Sequence, residues 1–508
     1  MAATRNQTQI DGALYDLAAR GTKDIYFTKD DKESIHPFQW TYDRWPASLP
    51  EERWDVPIND ARWGQRCEFE FNLPGDILME TSLEITLPSW LPPEMVAYNN
   101  TSDTHVQHAP GNKTYYGYVN GIAYFLFEKI QIFQDKILLQ EVSGDSLYVA
   151  NLNKGSWNQG FLTQQLAGVH DGSYLSIMRN ATPGPLKLQL PMIGCGWPGD
   201  KGLPLCGLRN QTFRLRLWLR PLEQLIESVT ITDTGDTDVI VDPPYNPGPY
   251  TTSNPPDYRI TPWGQTFTQD RDGIPDVTAV APPRSEMKQP SIILKTKQLY
   301  LLNEARDQLA KETIEIPYIR YFDNQFSINQ LDYAPIDRGG AANIVKFLDA
   351  NYTVERILTY FRNTTSIFRN RLWDFENSCL LTGAVPNKGQ FYNSIQLTIA
   401  GQLREGPWDS DVWQQVMTDA KEERSLSRNI CEMNWARGWR IDDMPPAARE
   451  PSGGINFTTA DRPMLTVGLN DIVLDPTLGY KQAQMVSCCE SWALYRIRNG
   501  RGGLEYAN

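Results

Sequence analysis

Apolar and polar residues alternate with a period of two along much of the chain, which is the signature of strands with one face buried. Glu68-Phe69-Glu70-Phe71-Asn72-Leu73 alternates, Pro74-Gly75-Asp76 turns, and Leu83-Glu84-Ile85-Thr86-Leu87 alternates again. Ile122 to Phe133 is almost continuously apolar, and Asp135-Lys136 then turns the chain into Ile137-Leu138-Leu139. The spacing over Ser146 to Val169 predicts a helical excursion, and Leu186 to Pro191 a further strand. The clearest strand is Phe213-Arg214-Leu215-Arg216-Leu217-Trp218-Leu219: its leucines share one face and its arginines the other, so one side is core and the other faces solvent or a partner. About eight short strands in roughly 160 residues, without any strand–helix rhythm, predict a sandwich or jelly roll.

Strand patterns resume at Ile292-Ile293-Leu294, with mixed short elements over Glu312–Tyr321 and Val345–Arg356. Asn393 to Leu403 then forms an alternating run, a polar turn and a return, as do Lys129 to Ile137 in the first half. A weak repeat at equivalent positions of the two halves predicts two consecutive domains of one kind. Between them, Asp233 to Pro290 is rich in Pro, Asp, Thr and Gly and has little periodic pattern. A segment this long is either a surface loop pinned by aromatics such as Tyr245, Tyr258 and Trp263, the simpler reading, or a tethering loop at the edge of an assembly. Residues 1–64 read as an arm carrying Trp40, Trp45, Trp54 and Trp63. Tryptophans bury large area with few rotatable bonds, so these four either dock on a neighbour or pack on their own domain.

Near the end of the chain, Pro451-Ser452-Gly453-Gly454-Ile455-Asn456-Phe457 forms a corner before the alternating strand Met464–Leu469. The terminus reads Leu494-Tyr495-Arg496-Ile497-Arg498-Asn499-Gly500-Arg501-Gly502-Gly503-Leu504. This pair of stretches, with Asp24-Ile25-Tyr26-Phe27-Thr28 near the start and Arg220-Pro221-Leu222 after the arginine strand, resembles the major capsid proteins of nucleocytoplasmic large DNA viruses. The segment Ile35 to Arg44 keeps the family's Tyr and Arg and departs elsewhere, and Gln134-Asp135 stands where the family's first hairpin turn carries glycine.

The resemblance implies an all-β fold of two consecutive eight-stranded antiparallel jelly rolls, a double jelly roll with an N-terminal arm and long loop insertions. It places the arm at 1–64, the first roll at 65–232, a Pro-rich insert at 233–290 and the second roll at 291–508. It also implies a structural role: homotrimers forming pseudo-hexameric capsomers that tile an icosahedral virion shell. The partners would be the chain itself, neighbouring capsomers, minor capsid proteins and a penton protein, with an internal membrane nearby but not crossed. Assembly would take place in the cytoplasm of the infected host cell.

Charge narrows the alternatives. The 508 residues carry 48 basic and 61 acidic side chains, a net charge of −13, whereas a coat that grips nucleic acid neutralises phosphates with lysine and arginine. Direct nucleic-acid contact is therefore not expected. No apolar run is long enough to span a bilayer, and Met1 to Arg20 lacks the apolar stretch of a secretory signal, which predicts a protein made and kept in the cytosol.

The seven cysteines are scattered without paired spacing, so buried free thiols are expected rather than zinc or a disulfide framework. His105 and His108 have a two-ligand spacing but no patterned acidic partner. No nucleophile elbow or phosphate loop is present, so neither catalysis, metal nor cofactor is expected. The rival reading is a carbohydrate-binding or carbohydrate-active β-sandwich protein, whose groove the 15 tryptophans and 23 tyrosines could line.

Overall fold

The computed structural model describes residues 48–88, 106–109, 112–152, 166–169, 183–195, 201–208, 211–233, 238–241, 266–271, 274–280, 288–328, 342–362, 370–373, 375, 391–413, 429–435, 451, 453–469 and 483–505. Contacts divide the chain into residues 1–48 and 49–508, and all of these residues except Ser48 belong to the second unit. Asp24, Ile25, Tyr26, Phe27, Thr28, Trp40, Trp45, Ser452 and Cys379 lie outside the described residues.

The first half contributes β1 (Ser48–Asp55), β2 (Arg66–Glu70), β3 (Ile77–Thr86), β4 (Val106–Ala109), β5 (Asn112–Tyr118), β6 (Phe127–Gln134), β7 (Ile137–Val142), β8 (Leu186–Gln189), β9 (Leu203–Pro204), β10 (Phe213–Leu219), β11 (Ile226–Asp233), β12 (Asp238–Val241), β13 (Thr266–Arg271), β14 (Ile274–Val280) and β15 (Ser291–Leu301). The second contributes β16 (Ile314–Ile328), β17 (Ala342–Phe347), β18 (Thr353–Arg362), β19 (Tyr392–Ile399), β20 (Gln402–Trp408), β21 (Ile430–Asn434), β22 (Ile455–Asn456), β23 (Met464–Leu469), β24 (Ala483–Arg498) and β25 (Arg501–Glu505). Among the described residues three short α-helices interrupt them, α1 (Ile122–Phe125), α2 (Gly144–Leu152) and α3 (Asn303–Lys311). The helix predicted over Ser146–Val169 is α2, which starts two residues earlier and is described to Leu152.

Strand order reveals the repeat. In the first half one sheet runs β1-β15-β3-β8 and its mate β2-β10-β6-β7; in the second the sheets run β16-β24-β18-β21 and β17-β23-β19-β20. Counting the eight framework strands of each half in chain order, both halves give a first-eighth-third-sixth sheet and a second-seventh-fourth-fifth sheet. Such crossing connections, with antiparallel pairing at every defined register, make each half an eight-stranded jelly roll.

Two expected divisions shift as a result. The first strand of roll one, β1, lies in the segment read as an arm, and its last strand, β15, lies beyond the insert at the start of the segment read as roll two. β15 pairs with β3 from Ser291↔Thr86 to Leu299↔Ile77, burying Ile292 and Leu294 in the first core. The insert is not structureless either. β11 and β12 join β5 and β4 in a sheet of their own, and β13 pairs with β14 in a two-stranded sheet. The register runs from Thr266↔Val280 to Arg271↔Ile274.

The hairpin turns differ as their residues require. Ala400 and Gly401 both have positive φ (52° and 74°), the type I′ pattern that fits strand twist, and Asn499-Gly500 repeats it (54° and 79°). In the first roll Asp135 supplies a positive φ of 52° without a glycine, a conformation that Asp tolerates.

Two hydrophobic clusters fill the rolls, and the first crosses from one to the other. It combines first-roll residues such as Phe69, Leu215 and Phe125 with Tyr318, Leu358, Tyr360, Cys488 and Tyr495 of roll two. The second cluster, with Ile357, Phe361, Met485 and Cys489, is internal to roll two. β18 and β24 are thus covered on both faces, one by their own roll and one by its neighbour, and nearly every residue of β18 is buried. Cys488 and Cys489, adjacent in sequence, belong to opposite clusters.

Candidate assembly site: the seam between the rolls and the free faces

Where the rolls meet, β7 is the edge strand of the first and β16 the edge strand of the second. Edge strands present backbone groups that need partners. Here side chains supply them. Tyr318 Oη donates to the carbonyl of Leu139 (3.0 Å), and Gln140 Nε2 donates to that of Ile319 (3.2 Å). Ser143 N donates to Asp323 Oδ2 (2.7 Å), and the Ser146 and Tyr360 hydroxyls share a hydrogen bond of 3.1 Å.

A charged triad lies beside these contacts. Asp145, in the first turn of α2, accepts from Arg220 Nη2 at 2.7 Å and from Arg362 Nη1 at 2.8 Å, both on Oδ2. Arg362 is buried between the rings of Phe125 and Phe375 and also donates Nε to the carbonyl of Leu372 (3.0 Å). Burial pushes the Asp145 carboxyl up, but Arg220 and Arg362 outweigh it and hold the group down at about 2. Asp323 has no such cation, and burial raises it. Gly144 brings α2 this close: a Cβ there would stand 1.9 Å from the carbonyl oxygen of Tyr124.

At the far end, the C-terminal hairpin reaches back to roll one. Gly502 donates its N–H to Gln211 Oε1 (2.7 Å) and accepts from Gln211 Nε2 (3.1 Å) and Gln134 Nε2 (3.2 Å). Tyr495 Oη donates to Gln134 Oε1 (3.0 Å). A Cβ on Gly502 would lie 2.1 Å from that tyrosine oxygen, so glycine is needed for the close approach. Leu504 packs on the first cluster, whereas nothing lies near a Cβ on Gly503.

The corner picked out from sequence braces β18. Asn456 Oδ1 accepts from Thr458 N (3.0 Å), Phe457 is buried, and Phe457 N donates to the carbonyl of Tyr352 (2.8 Å). Pro451 is exposed and Gly453 half-buried at the lead-in. In the Arg220-Pro221-Leu222 segment Arg220 holds Asp145 and Leu222 enters the core. Of the arm's tryptophans, Trp63 is engaged within roll one, stacked on Tyr118 and donating Nε1 to the carbonyl of Lys288 (3.1 Å). Trp54 remains 59% exposed, with the Lys295 ammonium over its ring. Gln134, Gln140, Asp145, Arg362 and Tyr318 carry the seam and were not singled out from sequence; only the Gln134-Asp135 turn was marked, for its missing glycine.

No family model and no curated protein matches the chain. Solved structures do. The chain superposes on PBCV-1 VP54, from a crystal structure fitted into a reconstruction of the virophage Sputnik, with a TM-score of 0.60 at 14% identity, covering 93% of this chain and 100% of that one. It superposes on the Faustovirus major capsid protein with a TM-score of 0.57 at 11% identity, covering 97% and 98%. The fold is the double jelly roll.

The two rolls of this double jelly roll differ in their outer faces. On roll one, paired positions of β2, β10, β6 and β7 carry Glu68, Arg216, Gln131 and Glu141, with Arg216 Nε 2.8 Å from Glu68 and Lys129 2.8 Å from Glu141. On roll two, the row Phe347, Met464, Thr398 and Leu403 crosses the equivalent sheet, and Phe347 and Leu403 are 59% and 52% exposed. Chemistry has no comparable centre: among the described residues no cluster of His, Cys, Asp or Glu could hold a metal, and no helix is long and apolar enough to cross a membrane. Burial pushes the thiols of Cys67 (to about 12), Cys431, Cys488 and Cys489 up, away from the reactive thiolate form.

Proposed function

We propose that the chain is a structural shell protein whose homotrimers form pseudo-hexameric capsomers tiling an icosahedral virion. The observation that carries this reading is the seam. Two rolls of identical strand order share one hydrophobic cluster and a buried ion triad, so each chain supplies two similar, rigidly joined wedges, and three chains would supply six. The likeness to PBCV-1 VP54 and to the Faustovirus major capsid protein supports it. On this reading the partners are further copies, neighbouring capsomers, minor capsid proteins and a penton protein, the location is the virion, and assembly occurs in the host cytoplasm. The divisions that follow from strand order are a first roll from β1 to β15 with the insert inside it, and a second roll from β16 onward.

On this reading Asp24–Thr28 are structural residues of the arm, and Trp40, Trp45 and exposed Trp54 contact neighbouring copies. A net charge of −13 makes contacts between capsomers salt-sensitive and keeps the chain off nucleic acid. The test is native mass measurement at low and high salt, followed by electron microscopy of assembled material. The expected species has three times the 57.9 kDa chain mass and retains neither DNA nor polysaccharide. A monomer that binds or cleaves a polysaccharide overturns the reading in favour of a carbohydrate-active sandwich.

A further inference from the structure

The turn that follows the fifth strand of each roll repeats along with the strand order. Ser143 stands directly after β7 and caps α2: its Oγ accepts from Ser146 N (3.1 Å) and its carbonyl from Leu147 N (3.0 Å). Asp409 stands directly after β20 and makes the same two bonds, Oδ1 accepting from Val412 N (2.9 Å) and the carbonyl from Trp413 N (3.2 Å). In the repeat, then, Ser143 corresponds to Asp409 and Asp145 to Asp411.

In the seam the first of these caps meets roll two. Ser143, 4% exposed, donates its N–H to Asp323 Oδ2 (2.7 Å), and Asp145 holds Arg362. The titratable and charged groups near Asp323 among the described residues are Asp145 from α2, Tyr360 and Arg362 from β18, and Cys488 and Cys489 from β24. The arginine among them is committed to Asp145 at 2.8 Å. Serine brings no charge to this place. The cap of roll two would bring a second carboxylate beside Asp323, where a buried charge without a cation is strongly disfavoured. Roll two also lacks the second arginine: Arg220 directly follows β10, whereas Asn470 directly follows β23.

We propose that the difference between Ser143 and Asp409 selects which roll docks on the outer face of the β16-β24-β18-β21 sheet: serine admits roll one, and aspartate excludes the matching surface of roll two from another copy. The competition arises while chains fold side by side, because both rolls present the same strand order and the face stays open until roll one arrives. Misassembly of this kind is a characteristic failure of chains with repeated domains. Where the attractive surfaces are alike, a repulsive element on the wrong partner supplies the discrimination. Serine and aspartate cap helices about equally well, so the choice between them is free to serve docking. The inference concerns folding and holds whether or not the chain builds a shell.

Ser143→Asp and Ser143→Asn, made in the full chain, separate charge from size. Hydrogen exchange at pH 7 over β7, α2 and β16 is expected to speed by roughly tenfold or more in Ser143→Asp and far less in Ser143→Asn. Their urea midpoints should differ at pH 7 and converge toward pH 4, because neighbouring carboxylates titrate above the ordinary value and the penalty ends once a proton is bound. A Ser143→Asp chain that does not fold, beside a Ser143→Asn chain that does, is the same result in stronger form. In the other direction, Asp409→Ser keeps a good cap and is expected to lower the yield of native chain on refolding from urea, increasingly as protein concentration rises. Equal exchange in the two Ser143 variants, a gap between them that does not change with pH, or wild-type refolding yields for Asp409→Ser at every concentration overturns the inference.

Discussion

Replacing Asp145 by asparagine keeps the shape of the seam and removes the one negative charge between Arg220, at 2.7 Å, and Arg362, at 2.8 Å. Two routes give the size of the effect. A carboxyl held at about 2 instead of 3.8 contributes about 2.5 kcal/mol when ionised. Removing one partner of a buried ion pair typically costs about 3–5 kcal/mol, because the remaining charge stays desolvated. Arg220 keeps some solvent exposure, 13% against 2% for Arg362, which places the expected loss near the lower figure, about 3 kcal/mol. The sign with pH is fixed by the direction of the shift. The folded value lies below the unfolded one, so the contribution is complete above about pH 4 and drains away as pH falls through about 2. Urea unfolding at pH 7 and again near pH 3, on wild type, Asp145→Asn, Arg362→Met and the double variant, measures this. A loss at pH 7 below about 1 kcal/mol, or a coupling energy between positions 145 and 362 indistinguishable from zero, refutes the argument that the triad binds the rolls together.

Other substitutions probe neighbouring parts of the same seam. Gly502→Ala forces a methyl to within 2.1 Å of Tyr495 Oη and is expected to cost about 2–3 kcal/mol; adding Tyr495→Phe removes that oxygen and should recover part of the loss in urea titrations. Gly144→Ala meets backbone oxygens of Tyr124 and Phe127 at 1.9 and 2.5 Å, which cannot rotate away, so a drop in melting temperature and faster hydrogen exchange in α2 are expected. Asp323→Asn acts in the opposite sense to Asp145→Asn. The carboxyl of Asp323 is raised by burial, so wild-type stability declines as pH climbs past the ordinary carboxylate value. The asparagine, which can still accept from Ser143 N, should melt no lower than wild type at pH 7, and its advantage should vanish toward pH 3.

Period-two alternation makes a strand legible when exactly one of its faces is buried, as in β2, β10, β19 and β23. It fails where both faces are covered. β18, Thr353 to Arg362, reads as an irregular mixture because Ile357 and Phe361 face one cluster while Leu358 and Tyr360 face the other. Alternation also identifies strands without choosing their partners. β15 follows a long insert and its pattern is that of any half-buried strand, so nothing local assigned it to β3, more than 200 residues earlier in the chain. The insert's hairpin was hidden by composition: prolines and aspartates recur through 233–290, and the apolar positions of β13 and β14 are confined to short runs. Asp145 and Arg362 were invisible for a different reason. A lone carboxylate after Gly144 and a lone arginine ending β18 resemble solvated surface charges until the fold places them 2.8 Å apart.

The repeat also accounts for how the two rolls differ in composition under one strand order. Corresponding surfaces meet different surroundings, so each needs different residues. The outer side of β24 must exclude water from a permanent joint within the chain, which Val486 and Cys488 do from within the shared cluster. The outer side of β15 carries Lys295 and Lys297 instead, which keeps that face from associating while the chain folds. An apolar β1–β15 face would instead invite association of partly folded chains through the exposed edge of β20.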